Sequence, residues 1–377
     1  MANTKLCIMK RFKLLILALP FLSLSACDNN GDEPEEPKNT RPRTLEEYNL
    51  TTDGLKDYFT ADDFFDIGVA IEPASVDNQV EANLMKRHFS SITAENAMKW
   101  SSLQPTEGTF RFTNADKIVN FASNNGMKMR GHTLVWHSQC PDWVFQDNGA
   151  VASKELVLER MRTHITEVMT RYKGKVDTWD VVNEAIDDGS NTYRSSKWYG
   201  ICGEDFIFEA FRTARQVDPD AKLFYNDYSA TNPTKREKIY TLLSRLKAEG
   251  LVDGMGLQGH WNIDAPASET IIEAFNRYAS LGIKLHITEL DVSVYPSNSD
   301  PQTDYNTQVE LRLKTSYARF FNLFRLHKDK ITNVTFWGLA DQHSWLNGWP
   351  VAGRNNYPLL FDRQYNPKAA YFSVINF

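Results

Sequence analysis

Cysteine is scarce, with four in 377 residues. Cys7 and Cys27 fall in or just after a basic, apolar amino-terminal segment, which leaves Cys140 and Cys202 for the rest of the chain. Two cysteines build neither a disulfide framework nor a four-ligand zinc site. Pairing in an oxidising compartment and two unrelated free thiols fit the sequence equally well. Histidine is also sparse, at eight. No H-E-x-x-H occurs, His132 and His137 do not stand one helical turn apart, and Gln258-Gly259-His260 is not the His-x-His of a barrel metallohydrolase. No metal and no cofactor are therefore expected. An excess of positive charge is missing too: 42 Lys and Arg against 48 Asp and Glu give a net charge of -6. Without a basic footprint, nucleic acid is not an expected partner. No apolar run reaches the ~20 residues of a membrane-spanning helix, and no internal repeat is visible.

The amino terminus carries a pattern of its own. Lys5, Lys10, Arg11 and Lys13 precede the apolar run Leu14 to Ala26, the layout of a secretory signal peptide. The run ends Leu24-Ser25-Ala26-Cys27, which resembles a bacterial lipobox with Cys27 lipidated; an ordinary signal peptide with a chance cysteine is the plainer reading. Residues 28–44 are polar and proline-rich, a solvated tether. The expected organisation is a signal peptide over 1–26, a lipidated tether over 27–55 and one folded domain over 56–377. Removing 1–26 takes four basic and no acidic residues, so the mature charge is -10. The protein is expected to be monomeric and exported, touching the bacterial outer membrane only through its lipid. The acidic tract after Cys27 resembles surface-export tethers, which suits exposure at the cell surface.

From about residue 56, short apolar runs alternate with amphipathic stretches. The runs are Phe65–Glu72, Ser91–Asn96, Met127–Trp136, Val176–Glu184, Lys222–Tyr228, Gly254–His260, Lys284–Asp291 and Val334–Asp341. Helical patterns separate them at Asn78–Phe89, Ala115–Asn124, Lys154–Tyr172, Asp205–Val217, Pro233–Glu249, Ser268–Leu281 and Gln308–Lys328. Alternating strands and helices argue for a parallel sheet. Eight such units fit a single (β/α)8 TIM barrel of the α/β class. An open doubly wound sheet is the alternative, but no G-x-G-x-x-G or G-x-x-x-x-G-K-[ST] phosphate loop is expected on any strand.

Each run is apolar until its last residues and then turns polar or aromatic. The endings include Glu95-Asn96, His132 with Trp136-His137, Asn183-Glu184, Asn226-Asp227, Gln258 with His260, Glu289 with Asp291, and Trp337. In a barrel these ends converge on one face, where active sites are built. Glu184 and Glu289 close the fourth and seventh strands, on opposite sides of the mouth. Two facing carboxyl groups are what glycoside hydrolysis requires, one protonated to assist departure of the leaving oxygen and one ionised. Capping or ion pairing explains either glutamate alone, but not both at matching strand ends. The 22 Phe, 15 Tyr and nine Trp suit stacking on sugar rings; Trp136, Trp337 and Trp345 lie at or just past strand ends, while Trp100, Trp143 and Trp179 read as packing residues.

With these residues in view, the chain resembles glycoside hydrolase family 10, the endo-β-1,4-xylanases. The matching segments are Thr93–Trp100, Gly131–Gln139, Trp179–Ala185, Gly256–His260, Ile287–Asp291 and Trp337–Trp345, in family order from about residue 60 to the end. The resemblance implies Glu184 as acid/base and Glu289 as nucleophile of a retaining double displacement on xylan and xylo-oligosaccharides. It implies Asn183 on the sugar 2-hydroxyl, and His260 on the nucleophile with Asp291 behind it. Glu95, Asn96, Lys99, His132, Trp136 and Gln258 look like glycone contacts. Trp337 and Trp345 look like the aromatic platform, with Trp345 limiting room for a hexose C6 group. Asn226 and Tyr228 match the stretch facing the leaving group, where Ser229 departs from the family's usual Asn. Only Ser138–Lys175 separates the third and fourth strands, too little for the binding module some relatives insert there. A retaining β-1,4-glucanase and a non-catalytic xylan-binding lipoprotein are the alternatives.

Overall fold

A computed structural model of the protein describes residues 52–60 and 64–376. The expected signal peptide, the expected lipidation site Cys27 and most of the expected tether lie outside the described residues. The strands of the barrel are β1 (Asp66–Ile71), β2 (Ser91–Ala94), β3 (Lys128–Trp136), β4 (Thr178–Asn183), β5 (Lys222–Asp227), β6 (Gly254–Leu257), β7 (Lys284–Ser293) and β8 (Ile331–Phe336). All neighbours run parallel, and β8 pairs with both β7 and β1, so the sheet closes on itself. Closure removes every free edge. The (β/α)8 barrel expected from the alternation is the fold.

The helices of the outer ring are α1 (Gln79–His88), α2 (Thr113–Asn124), α3 (Lys154–Tyr172), α4 (Asp205–Val217), α5 (Pro233–Ala248), α6 (Ser268–Ala279), α7 (Thr307–Leu326) and α8 (Ala369–Ile375). Four of them start on a side chain that accepts from the first-turn amides: Asn78, Ser153, Asn232 and Asn306. Such a cap satisfies donors the helix cannot pair itself. Strands covered on both faces read as continuous apolar runs. Accordingly β3 is buried from Met129 to Val135 and β7 from Leu285 to Val292.

Close packing across the barrel explains several glycines. A Cβ on Gly131 would meet the Trp179 ring at 2.2 Å, and one on Gly254 the Phe224 ring at 2.2 Å. Gly254 to Gly259 does spell G-x-G-x-x-G, but it is β6 and its exit rather than a turn opening a helix. Its glycines admit Phe224 and Asn226 instead of a phosphate. The eighth strand starts at Ile331 and stops at Phe336, earlier than its apolar pattern suggests, because Gly338 turns the chain with φ 124°. Short helices at Leu55–Phe59, Pro73–Asp77, Trp100–Leu103 and Lys197–Cys202 lie in connections the sequence reading left without structure. Cys140 and Cys202 are unpaired. Burial pushes both thiols up, that of Cys202 to about 11.

Candidate active site

β7 carries Glu289 into the mouth, where it is only 5% exposed. Its Oε1 accepts from Asn226 Nδ2 at 2.7 Å, and its Oε2 lies 3.2 Å from His260 Nε2. His260 opens a short strand, His260–Asn262, that pairs with the end of β7 and brings the imidazole beside Asp291. Nδ1 of His260 lies 3.0 Å from Asp291 Oδ2, which also accepts from Trp345 Nε1 at 2.8 Å. Burial alone would raise the Glu289 carboxyl, but His260, His132 and Asn226 bring it down to about 2. Burial likewise lowers His260, yet Asp291 and Glu289 together push it up to about 10. Across the neutral range a carboxylate therefore rests on an imidazolium.

These opposite shifts set a pH window. His260, raised above its ordinary 6.5, contributes stability that is complete below 6.5 and lost as pH rises through about 10. Glu289, depressed from 4.5, contributes stability that is complete above 4.5 and lost as pH falls through about 2. His260→Asn is accordingly expected to cost about 3 kcal/mol near pH 5 to 6. The gap from the unmodified protein should shrink toward pH 10. Denaturant melts across that range check it, and a pH-independent gap contradicts a charged His260.

Glu184 follows β4 and faces the same space from the other side. Its φ of 57° is left-handed, a conformation that costs a non-glycine residue about 1–3 kcal/mol. Oε2 accepts from Trp136 Nε1 at 3.0 Å and Oε1 from Gln258 Nε2 at 2.9 Å. His137 Nδ1 lies 3.9 Å from Oε2, and burial lowers this imidazole's pKa. Gln258 Nε2 also reaches Asn183 Oδ1 at 3.3 Å, which accepts from Asn226 Nδ2 at 2.9 Å. A chain of carboxamides, Gln258–Asn183–Asn226, thus joins the two carboxyl groups. Opposed carboxyls held this way can deliver a proton on one side and a negative charge on the other.

A second cluster lies past β1 and β2. Asn96 Nδ2 donates to Glu72 Oε1 at 2.5 Å, while its Oδ1 accepts from Lys99 Nζ at 2.8 Å. Lys99 sits 4.9 Å from the Trp136 ring centroid. Burial and the Glu72 carboxylate raise Glu95 to about 7 against the pull of Lys99. His132 Nδ1 lies 3.0 Å from Asp180 Oδ2, whose other oxygen takes Arg130 Nη2 at 2.7 Å in a fully buried pair. Trp337 is buried with its ring 5.3 Å from His132, and Trp345, 38% exposed, has its ring 5.0 Å from His260.

Asn226 and Tyr228, expected toward the leaving group, differ in burial. Asn226 is fully buried and hydrogen-bonded to Asn183, Glu289 and Thr288. Its carboxamide thus bridges the ends of β4 and β7. Tyr228 is half-buried, its hydroxyl taken by Asp188 and Arg194. Ser229 adopts φ 51°, a left-handed position that, glycine aside, Asn and Asp tolerate best. Sequence reading missed Glu72, Asp180, Arg194, Tyr225 and Thr288. A lone charge such as Asp180 inside an apolar strand was the available sign. A hollow of 580 Å³ at the opposite end of the barrel is lined by Lys128, Lys222, Lys284, Asp177 and Asp253. Its Asp177 and Asp253 are taken up by the Met129 and Leu223 amides and by Arg215, and in barrels that end serves stability. Among the described residues no group of three or more His, Cys, Asp or Glu is arranged to hold a metal ion.

The family model for glycosyl hydrolase family 10 matches residues 54–377. The beta-1,4-xylanase of Dictyoglomus thermophilum is 43% identical over 373 residues, 98% of this chain and 99% of that protein. The endo-1,4-beta-xylanase of Geobacillus stearothermophilus is 49% identical over 330 residues, 85% of this chain and 98% of that protein. The crystal structure of xylanase XynB from Paenibacillus barcinonensis, complexed with a conduramine derivative, superposes with a TM-score of 0.83 at 42% identity. It covers 87% of this chain and 99% of its own. A match over the whole barrel at these identities decides the matter: the chain belongs to glycosyl hydrolase family 10 and is a glycoside hydrolase.

Proposed function

We propose that this protein is a retaining endo-β-1,4-xylanase that cleaves internal bonds of xylan. The observation that carries the chemistry is Glu289, held ionised with a pKa of about 2 by the cationic His260, facing across the mouth Glu184, whose two oxygens accept from Trp136 and Gln258. The relatives named above as xylanases support the substrate. In this reading Glu289 attacks the anomeric carbon while Glu184 gives its proton to the departing glycosidic oxygen. Water then breaks the glycosyl–Glu289 ester as Glu184 takes a proton back. Asn183 serves the sugar 2-hydroxyl. Glu95, Asn96, Lys99, His132, Trp136 and Gln258 line the glycone side, and Trp337 and Trp345 form the platform.

The test is incubation of the protein with glucuronoxylan and, separately, with carboxymethylcellulose, both with EDTA present. Early release of mixed xylo-oligosaccharides from xylan alone, first as β-anomers, is the expected result. Binding of glycan without release would favour a binding protein, and initial α-anomers would exclude retention.

Export and lipid attachment rest on the amino-terminal pattern alone: a basic, apolar segment closing on Leu24-Ser25-Ala26-Cys27. In this reading the monomeric barrel acts outside the cell, tethered by residues 27–55. Cys27→Ala is expected to abolish incorporation of labelled fatty acid and to move the enzyme out of the membrane fraction. Unchanged labelling would refute the anchor.

A further inference from the structure

Among the groups that face neither carboxyl, one set forms a closed circuit around the peptide of Glu184. Its N–H donates to Asn226 O at 2.9 Å, and its carbonyl accepts from Arg194 Nε at 2.8 Å. The next two amides, Ala185 and Ile186, both donate to the Tyr225 hydroxyl, at 3.0 and 3.1 Å. Ala185 O accepts from Arg194 N at 2.8 Å. Tyr225 donates its own proton to Asp227 Oδ2 at 2.5 Å, and Asp227 Oδ1 pairs with Lys235 Nζ at 2.8 Å. Lys235 continues to Asp188 Oδ1 at 2.8 Å, Asp188 binds the Tyr228 hydroxyl, and that hydroxyl accepts from Arg194 Nη2. The circuit is closed.

A hydroxyl has one proton and two lone pairs, and Tyr225 uses all three. Its direction is set because the buried Asp227 oxygen only accepts, which turns both lone pairs toward the two amides. Ala185, Ile186 and Tyr225 are buried, so no water replaces a lost partner without rearrangement. A left-handed residue without such constraints would relax toward ordinary φ and swing its side chain away. Resting on the acid/base reading of Glu184, we infer that Tyr225 and Arg194 are positioning residues for that carboxyl: together they clamp the Glu184–Ile186 backbone from both sides and aim the proton at the leaving oxygen.

A positioning role for an acid separates substrates by leaving group, which a general loss of folding does not. In Tyr225→Phe, kcat/KM on xylan is expected to fall about 10- to 100-fold, the scale of a 1 Å misplacement. With 2,4-dinitrophenyl β-xylobioside the bond breaks without proton donation, so kcat/KM should stay within about threefold. Its kcat should nevertheless fall, because hydrolysis of the glycosyl-enzyme needs Glu184 as base, and azide, which needs no base, should restore it. Arg194→Lys keeps the charge but lacks the Nε donor to Glu184 O; it provides the same measurement should Tyr225→Phe not fold. Equal losses on both substrates, or no change in either variant, overturn the inference. Glu184→Ala, assayed alongside, separates the two levels. If it shows the leaving-group split and the other variants do not, only the clamp fails; if it shows none, the acid/base reading fails with it.

Discussion

Glu289→Ala is expected to hydrolyse neither xylan nor an activated aryl xylobioside, a loss on the order of 10⁵-fold or more, as when a covalent nucleophile is removed. Leaving-group quality gives no relief, because what is missing is the atom that bonds to the anomeric carbon. Truncation also leaves a space lined by Asn226 Nδ2 and His260 Nε2, the two donors that held the carboxylate. A small anion is suited to that space. With azide present and an aryl β-xylobioside as substrate, azide should bond to the anomeric carbon from the vacated side as the phenolate departs with its electron pair. The product is the α-glycosyl azide, inverted relative to the substrate and not hydrolysed further. NMR of the anomeric proton distinguishes it. A β-azide, or appreciable residual hydrolysis, would remove Glu289 from the nucleophile's place. His260 keeps Asp291 as a partner at 3.0 Å in this variant, so the fold should survive the substitution.

Much of this was legible because a barrel writes its architecture locally. Each strand announces itself by an apolar run, and each active-site residue by the polar group that ends the run. Lys154–Tyr172 and Asp205–Val217 were readable to the residue, since the periodicity of both and the Ser153 cap of the first lie in the local sequence. Asn226 was not. Two residues apart on a strand, Asn226 and Tyr228 should share a face, but β5 ends at Asp227 and the chain turns at Ser229 with φ 51°. Asn226 therefore bonds to Asn183 and Glu289, while the Tyr228 hydroxyl meets Asp188 and Arg194. The Arg130–Asp180 pair, 50 residues apart, and the Tyr225 contacts with Ala185 and Ile186 depend on which strands become neighbours. Periodicity carries no information on that. His260 shows the same limit: Gly259, at φ 80°, redirects the chain so that the imidazole meets both Glu289 and Asp291.

Glu184→Gln is expected to lose activity on xylan by about 10²–10⁴-fold, the range general acid catalysis supplies, while kcat/KM on a dinitrophenyl xylobioside is largely kept. Xylan leaves as a sugar alkoxide unless it is protonated in the transition state, whereas dinitrophenolate departs unaided. The substitution has a second consequence that the geometry makes specific. Both oxygens of Glu184 are acceptors, one for Trp136 Nε1 and one for Gln258 Nε2. A glutamine places an amide nitrogen against one of these donors, so either the indole or Gln258 loses its partner. Because Gln258 also reaches Asn183, disturbing it reaches toward the residue proposed to hold the 2-hydroxyl. Glu184→Gln should therefore raise KM as well as lower kcat on xylan, whereas Glu184→Ala, which faces neither donor with another donor, should act mainly on kcat. Comparing the two variants on xylan and the aryl xylobioside tests both claims. Equal losses on the two substrates would take the proton away from Glu184, and identical KM values would show that the Gln258–Asn183 link does not transmit the change.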